Sequence, residues 1–380
     1  RRYEDWNRCT ILRTKNRRGE LGRYVTDLVT HLQKIDHINS YVLFLRKENF
    51  HECVLTNPNF SKRLVDVPWY SIAEQRVMPR EIAAANVQLM HFPHWNVPLF
   101  TRVPFVVTIH DLILLEDPLS ARATTKNAFV HGLKYVGFRL SVEKAIHQSR
   151  HIIAVSEYTK GSVLRHFSVK SQKVSVVHHG TTLPHGENDF ALSTVGVYEP
   201  YVLYVGNAYP HKNLNTLVDA FAEFQKTNSD VQLVLAGRRD VFSKRLEAQA
   251  TDAGIPSRNI RFVDLPTDAT LATLYKKAMV FMFPSRIEGF GFPPLEAMLY
   301  GTPVACSNAS SLPEVVGKHA FYFDPDDVDG MVTAMTRAKA GTLIDAAGIT
   351  AAKRHADSYT WEDTARKTMD IYGAFGHRRM

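Results

Sequence analysis

Two glutamates with seven residues between them, Glu288 and Glu296, bracket glycines and prolines in Pro284-Ser-Arg-Ile-Glu-Gly-Phe-Gly-Phe-Pro-Pro-Leu-Glu-Ala-Met-Leu-Tyr-Gly301. An ionised carboxylate only accepts hydrogen bonds, which suits it to the paired hydroxyls of a sugar or a ribose. A helix opening near Pro293 or Pro294 tolerates proline, whose missing N–H would be unpaired there anyway. The loop before it aims backbone N–H groups and the helix dipole at one spot, a place for phosphate. This reading puts Glu288 in the loop, Glu296 in the first helical turn and a left-handed Gly301 at the helix end. Taken singly, Glu296 could merely complement the dipole and Glu288 be a solvated loop residue. Glycine, proline and acid together at these places argue for a ligand.

The elements that must position these groups are legible as short apolar runs alternating with amphipathic stretches. In the first half the expected strands are Cys9–Leu12, Tyr41–Leu45, Leu89–His91, Phe105–Ile109, Ile152–Val155 and Val174–Val177. The second half offers Tyr201–Val205, Val231–Ala236, Ile260–Phe262, Val280–Phe283, Pro303–Ala305 and Ala320–Phe323. Continuous hydrophobic runs of this length read as parallel strands buried on both faces. Helical patterns such as Tyr24–Ile35, Leu214–Thr227 and Ala269–Lys276 separate them, so the chain reads as βαβ units. The fold class expected is α/β, with two Rossmann-like doubly wound domains facing across a cleft. Residues 1–185 form the first domain and 198–357 the second, with a linker at 186–197 and a closing helix at 358–380 that packs back on the first. In such sheets the ligand lies at the carboxyl ends of the strands.

Composition bounds the rest. The 380 residues are 45% hydrophobic and 22% charged, which supports two cored domains and excludes low-complexity disorder. No apolar run reaches the roughly 18–20 residues of a membrane-spanning helix. The chain opens on Arg1 rather than Met, so its true start is expected upstream. Three widely spaced cysteines indicate neither a disulfide framework nor a zinc cluster, and a reducing, cytosolic setting is expected. Residues 1–190 carry 26 Lys+Arg against 17 Asp+Glu, while the remainder is nearly balanced at 20 against 21. That excess would suit an anionic membrane surface or a phosphorylated substrate, or be a solvated face without function. No nucleic-acid-binding motif accompanies it, so nucleic acid is not an expected partner.

The segment around Glu288 and Glu296 resembles the Glu-x7-Glu signature of retaining GT-B glycosyltransferases of family 4. The likeness continues in Tyr201-Val-Leu-Tyr-Val-Gly-Asn-Ala-Tyr-Pro-His-Lys-Asn-Leu214, in Leu233-Val-Leu-Ala-Gly-Arg238 and in Gly301-Thr-Pro-Val-Ala-Cys-Ser-Asn-Ala-Ser-Ser-Leu-Pro-Glu-Val-Val316. Val107-Thr-Ile-His-Asp-Leu112, Ile152-Ile-Ala-Val-Ser-Glu-Tyr-Thr159 and the stretch around Trp361 also resemble family segments. The resemblance implies transfer of a hexose from a nucleotide-sugar donor to a glycan or lipid-linked acceptor hydroxyl, with retention at the anomeric carbon.

By the same resemblance, Lys212 would offset charge growing on the departing diphosphate. Glu288 would bind sugar hydroxyls near the reacting carbon, and Glu296 the ribose hydroxyls. His110, at the end of a strand, would contact the donor sugar or orient the acceptor. Donor contacts would also come from Gly22, Gly206, Asn207, Arg238, Gly289, Phe290, Gly291, Phe292 and Leu295. No Asp-x-Asp cluster is present, so metal-independent transfer is expected, with no covalently bound cofactor. The adjacent His178 and His179 would face opposite sides of a strand and would not share a metal.

Two departures stand out. Glu20 in Gly19-Glu-Leu-Gly-Arg-Tyr24 takes the place of a family glycine, adding bulk and negative charge near the expected phosphates. Asn207 replaces a common Arg, a feature of branches that resemble mannosyltransferases of surface-polysaccharide assembly, which favours GDP-mannose over a UDP-sugar. Glu20 keeps open an alternative, a catalytically poor scaffold that binds a glycan or a protein. A phosphorylase or epimerase of the same shape is a second alternative. A nicotinamide enzyme is disfavoured because no Gly-x-Gly-x-x-Gly follows the first strand. The expected location is cytoplasmic, or peripheral on the inner face of the membrane.

Overall fold

The computed structural model describes residues 8–12, 20–117, 128–183 and 190–376. They divide into two units: one runs to Leu112 and takes in the described residues up to Gly180 and from Thr360, and the other holds Ile113 onward in that stretch and Thr181–Tyr359.

The first unit is built on seven parallel strands: β1 (Arg8–Leu12), β2 (Ser40–Leu45), β3 (Phe60–Leu64), β4 (Leu89–Phe92), β5 (Phe105–Ile109), β6 (His151–Ala154) and β7 (Val174–Val176). Their order is β3-β2-β1-β4-β5-β6-β7. Every residue of β4, β5 and β6 is buried, which is why these strands read as mostly hydrophobic runs, with His91, Thr108 and His151 as their polar members. Six strands were expected here, and β3 is the seventh. Its Phe-Ser-Lys-Arg-Leu sequence has no apolar run because it is an edge strand, with Lys62 donating to the carbonyls of Phe50 and Cys53 and Arg63 paired with Glu81. β7 stops at Val176, so His178 and His179 follow the strand instead of alternating along it.

The second unit carries six parallel strands: β8 (Tyr201–Val205), β9 (Gln232–Gly237), β10 (Ile260–Asp264), β11 (Val280–Phe283), β12 (Val304–Ser307) and β13 (Phe321–Phe323). Their order is β10-β9-β8-β11-β12-β13. Both sheets reverse their winding once, at β1/β4 in the first unit and at β8/β11 in the second. Crossovers on either side of such a point leave to opposite faces, opening a crevice at the carboxyl ends of the two strands. The loops after β8 and β11 are therefore where the second unit can hold a ligand, and they contain Lys212 and Glu288.

In the first unit the segment that follows β1 contains Gly19, which lies outside the described residues. The helix Glu20–Ile35 starts at Glu20 and holds a buried Gly22 in its first turn. Tyr24, Leu28 and Leu32 repeat every four residues and are all buried, making the apolar face of that helix. The closing helix Trp361–Gly376 packs against it, burying Trp361, Ala365 and Tyr372. Among the described residues no helix is long and apolar enough to cross a membrane.

Candidate active site

The chain leaves β8 through Gly206, whose φ of 150° disfavours a side chain and where a Cβ would stand 2.6 Å from the Tyr204 hydroxyl. The Gly206 N–H donates to Ala236 O at 2.9 Å, and a Cβ built on Gly237 would stand 2.0 Å from Gly206 O. The two strand ends thus meet backbone to backbone. Asn207 shapes the turn, accepting from Tyr204 OH at its carbonyl (2.8 Å) and from the Tyr209 N–H at Oδ1 (3.3 Å). Arg238, just past β9, is exposed.

A short turn, Pro210–Lys212, then delivers Lys212, and Asn213 follows in the left-handed region at φ 59°. Asparagine tolerates that conformation better than most residues because its short amide can bond locally. Here the amide does more: Nδ2 donates to Pro284 O (3.1 Å) and Pro325 O (2.6 Å), and Oδ1 accepts from Arg286 Nη2 (2.9 Å). The Arg286 N–H donates in turn to His211 O at 2.8 Å, and its guanidinium pairs with Asp326. The loops after β8 and β11 are stitched together by these bonds. His211 is buried in the seam. Its pKa falls to about 3 through burial and the neighbouring Lys212 charge, with Asp117 opposing.

The consequence is a buried ion pair. Lys212 Nζ donates to Glu288 Oε1 at 2.7 Å and to Oε2 at 2.9 Å. The Glu288 loop is held from below by the segment after β12. The Glu288 N–H donates to Ser310 Oγ (2.9 Å), and Ser311 Oγ donates to the carbonyls of Glu288 (3.0 Å) and Phe290 (2.9 Å). Gly289 and Phe290 are buried, and the Phe290 ring meets Tyr359 and Phe292 edge-on.

Gly291, at φ 106°, opens the helix Phe292–Leu299. The helix starts at Phe292, one residue before Pro293 and near the expected place, which puts Glu296 at the start of the second turn rather than in the first. Proline has no N–H, so Pro293 and Pro294 contribute none of the donors that a helix start presents; Gly291 and Phe292 supply them. Leu295 is fully buried, so its side chain belongs to the core. Glu296 is buried as well and accepts from Tyr275 OH at 2.8 Å. Gly301, at φ 79°, ends the helix as expected: its N–H donates to Met298 O, and Thr302 N–H donates to Ala297 O.

His110 lies in the first unit, at the carboxyl end of β5. Its Nε2 meets Pro93 O at 2.9 Å, so that nitrogen carries the proton, and its Nδ1 faces His179 Nε2 at 3.2 Å. His179 lies near-parallel to it with ring centroids 5.1 Å apart, and Tyr24 meets it edge-on at 4.8 Å. His179 is held well below the usual histidine pKa by burial and by the neighbouring His110 and His178. Among the described residues no group of three His, Cys, Asp or Glu side chains is placed to hold a metal ion.

The structure thus joins Lys212 to Glu288 and sets Gly206, Asn207, Gly289, Phe290 and Gly291 in the two loops that carry them. It adds Asn213, Arg286, Ser310, Ser311 and Tyr275, for which residue type alone gave no chemical signal.

Two doubly wound units, with a charged pair at the switch point of the second, match the architecture of a GT-B glycosyltransferase, and comparison with known proteins places the chain in that class. Residues 188–354 match the family described as glycosyl transferases group 1, and residues 21–183 match glycosyltransferase family 4. The chain belongs to the family 4 GT-B glycosyltransferases and is mannosyltransferase-like. It is 27% identical over 319 residues to the O-antigen chain mannosyltransferase RfbU of Salmonella typhimurium, covering 81% of this chain and 83% of that protein. It is 30% identical over 247 residues to O-antigen chain mannosyltransferase B of Escherichia coli, covering 61% and 63%. Among solved structures, sucrose-phosphate synthase from Thermosynechococcus elongatus has the same fold at a TM-score of 0.74 and 20% identity, covering 97% of this chain and 98% of that one. Anabaena HepE, in complex with UDP and glucose, likewise scores 0.74 at 16% identity, covering 97% and 100%.

Proposed function

We propose that this glycosyltransferase is a retaining enzyme that moves a hexose, mannose in the favoured reading, from a nucleotide-sugar donor to a glycan or lipid-linked acceptor in surface-polysaccharide synthesis. The observation that carries the reading is the Lys212–Glu288 pair between the loops after β8 and β11. The ammonium lies at the carboxyl end of the sheet, where a diphosphate leaving group would develop charge; Glu288 holds it in place, and Asn213 and Arg286 tie together the loops that carry the pair. In transfer with retention, the bond from the anomeric carbon to the diphosphate oxygen breaks. The acceptor oxygen forms its bond on the same face, and its proton passes to the departing phosphate. Lys212 stabilises that phosphate, and Glu288 receives hydroxyls of the transferred sugar. Glu296 receives the ribose hydroxyls.

His110, with Nε2 protonated toward Pro93 O, acts through its fixed ring in orienting substrate and not as a free base. The O-antigen mannosyltransferase relatives support mannose and a polysaccharide acceptor, and GDP-mannose is the donor to test first. Metal is not required in this reading, because Lys212 and the helix start supply the positive potential. The basic first half of the chain supports contact with an anionic membrane surface on the cytoplasmic side.

Incubation with GDP-mannose or UDP-glucose and an isolated membrane acceptor fraction, with magnesium or with chelator, tests this. Transfer from one donor in the presence of chelator, with an α-linked product from an α-linked donor by NMR, is expected. Inversion of the anomeric configuration, or strict dependence on metal, would overturn the mechanism.

A further inference from the structure

Glu288 and Glu296 are both buried, yet they are held differently. Glu288 takes an ammonium on both oxygens, whereas Glu296 takes a phenol on Oε2. Tyr275, which supplies that phenol, is fully buried on the helix Asp268–Lys277. Its ring lies parallel to Tyr300, with 5.7 Å between centroids and 10° between planes, and is tilted against Phe281 at 5.6 Å. The backbone beneath it is tied as well, since Thr302 Oγ1 donates to Tyr275 O and Tyr201 OH donates to Leu274 O at 2.8 Å. A tyrosine has two rotatable side-chain bonds, so a ring clamped on this scale fixes its hydroxyl in space.

The last torsion of a glutamate is broad and two-fold. A carboxylate left to itself therefore samples many planes, and two vicinal hydroxyls recognise only a narrow set of them. A hydrogen bond from a fixed phenol selects one plane while adding no positive charge. Each carboxylate oxygen carries two lone pairs, so Oε2 can still accept from a ligand. We infer that Tyr275 is a positioning residue that sets the plane of the Glu296 carboxylate for the vicinal ribose hydroxyls of the donor nucleotide. The inference rests on the proposed role of Glu296.

The test crosses a protein change with a ligand change in the full chain. Binding of GDP and UDP, and of their 2′-deoxy and 2′,3′-dideoxy forms, is measured by calorimetry for the unaltered protein, Tyr275→Phe and Glu296→Gln. The unaltered protein is expected to prefer the ribo form, and Glu296→Gln to lose that preference. Tyr275→Phe should weaken the ribo form by about 3- to 10-fold, as for one hydrogen bond, and shrink the ribo-to-dideoxy ratio by a similar factor. The KM for donor should rise with kcat nearly unchanged. No preference in the unaltered protein, or no binding of either nucleotide, would remove the role of Glu296 itself. A preference that Tyr275→Phe leaves intact would overturn the role of Tyr275 alone. If that variant folds poorly, Tyr300→Leu loosens the ring from its outer side, and an unchanged ratio there overturns the inference equally.

Discussion

Lys212 holds both oxygens of Glu288, at 2.7 and 2.9 Å, with both side chains withdrawn from water. Burying two charges is costly, and their attraction offsets that cost only while both are present. Removing one partner strands the other. Lys212→Met or Glu288→Gln alone is therefore expected to destabilise the protein by about 3–5 kcal/mol, and the pair of changes together by much less. Urea unfolding of the single and double variants checks this; additive losses would show that the two groups do not depend on each other. All three should lose most transfer activity, so activity must be normalised to folded protein.

Asn213 couples the two loops through its amide and through its backbone, and the two contributions separate. Asn213→Gly keeps the left-handed conformation but loses the bonds to Pro284, Pro325 and Arg286. Asn213→Ala loses both, and the left-handed backbone costs a non-glycine residue roughly 1–2 kcal/mol. Thermal melting should rank alanine below glycine, and glycine below the unaltered protein. Equal melting temperatures for the two variants would show that the backbone conformation is not what selects asparagine. Both should lower the rate of transfer, because each loosens the turn that carries Lys212.

Gly237 is a position where one methyl group suffices. Its Cβ would lie 2.0 Å from the carbonyl oxygen of Gly206, a backbone atom with no rotamer to yield. Gly237→Ala must spread the ends of β8 and β9, and overpacking of this kind costs about 1–3 kcal/mol or more. The displaced strand end carries Gly206 and Asn207, so nucleotide binding should weaken along with stability. A variant with unchanged melting temperature would show that the strand ends have slack.

Much of this was legible beforehand because buried parallel strands leave a strong trace. β8 and β11 are hydrophobic along their whole length, β4 and β5 but for His91 and Thr108, and the glycine loop after β11 is flanked by prolines at places that suit a strand end and a helix start. β3 was not legible, since Lys62 and Arg63 on an edge strand carry no hydrophobic period. The ion pair was only half legible: residue types marked Lys212 and Glu288 separately, but their meeting depends on β8 and β11 being neighbours, which is a matter of strand order. The helix Phe292–Leu299 starts one residue before Pro293, close to where the prolines mark it, because proline is tolerated at more than the first helical position and so marks the turn without fixing the residue. Tyr275, 21 positions from Glu296 and on another helix, left no local pattern to read.

Acid should unfold this protein through histidines kept neutral inside it. His91 is fully buried, with Nδ1 against Tyr372 OH at 2.6 Å and Nε2 against Thr108 Oγ1 at 2.8 Å, and burial lowers its pKa to about 3. His211 in the second unit is lowered to about 3 as well. In the unfolded chain these rings take up a proton near pH 6.5, whereas in the folded state they resist until about pH 3. Between those values the unfolded state binds more protons, so stability rises with pH. The contribution is present in full above pH 6.5 and is lost as pH falls toward 3, at about 1.4 kcal/mol per pH unit for each such ring. Melting temperatures should therefore be level from about pH 7 to 8 and fall steadily below about pH 6. His91→Gln tests the assignment: the amide cannot titrate, so its melting temperature should start lower at neutral pH, from lost packing and hydrogen bonds, and then fall less steeply on acidification. A slope identical to that of the unaltered protein would show that His91 already takes up its proton in the folded state, and that its hydrogen-bonded partners Thr108 and Tyr372 admit a charge.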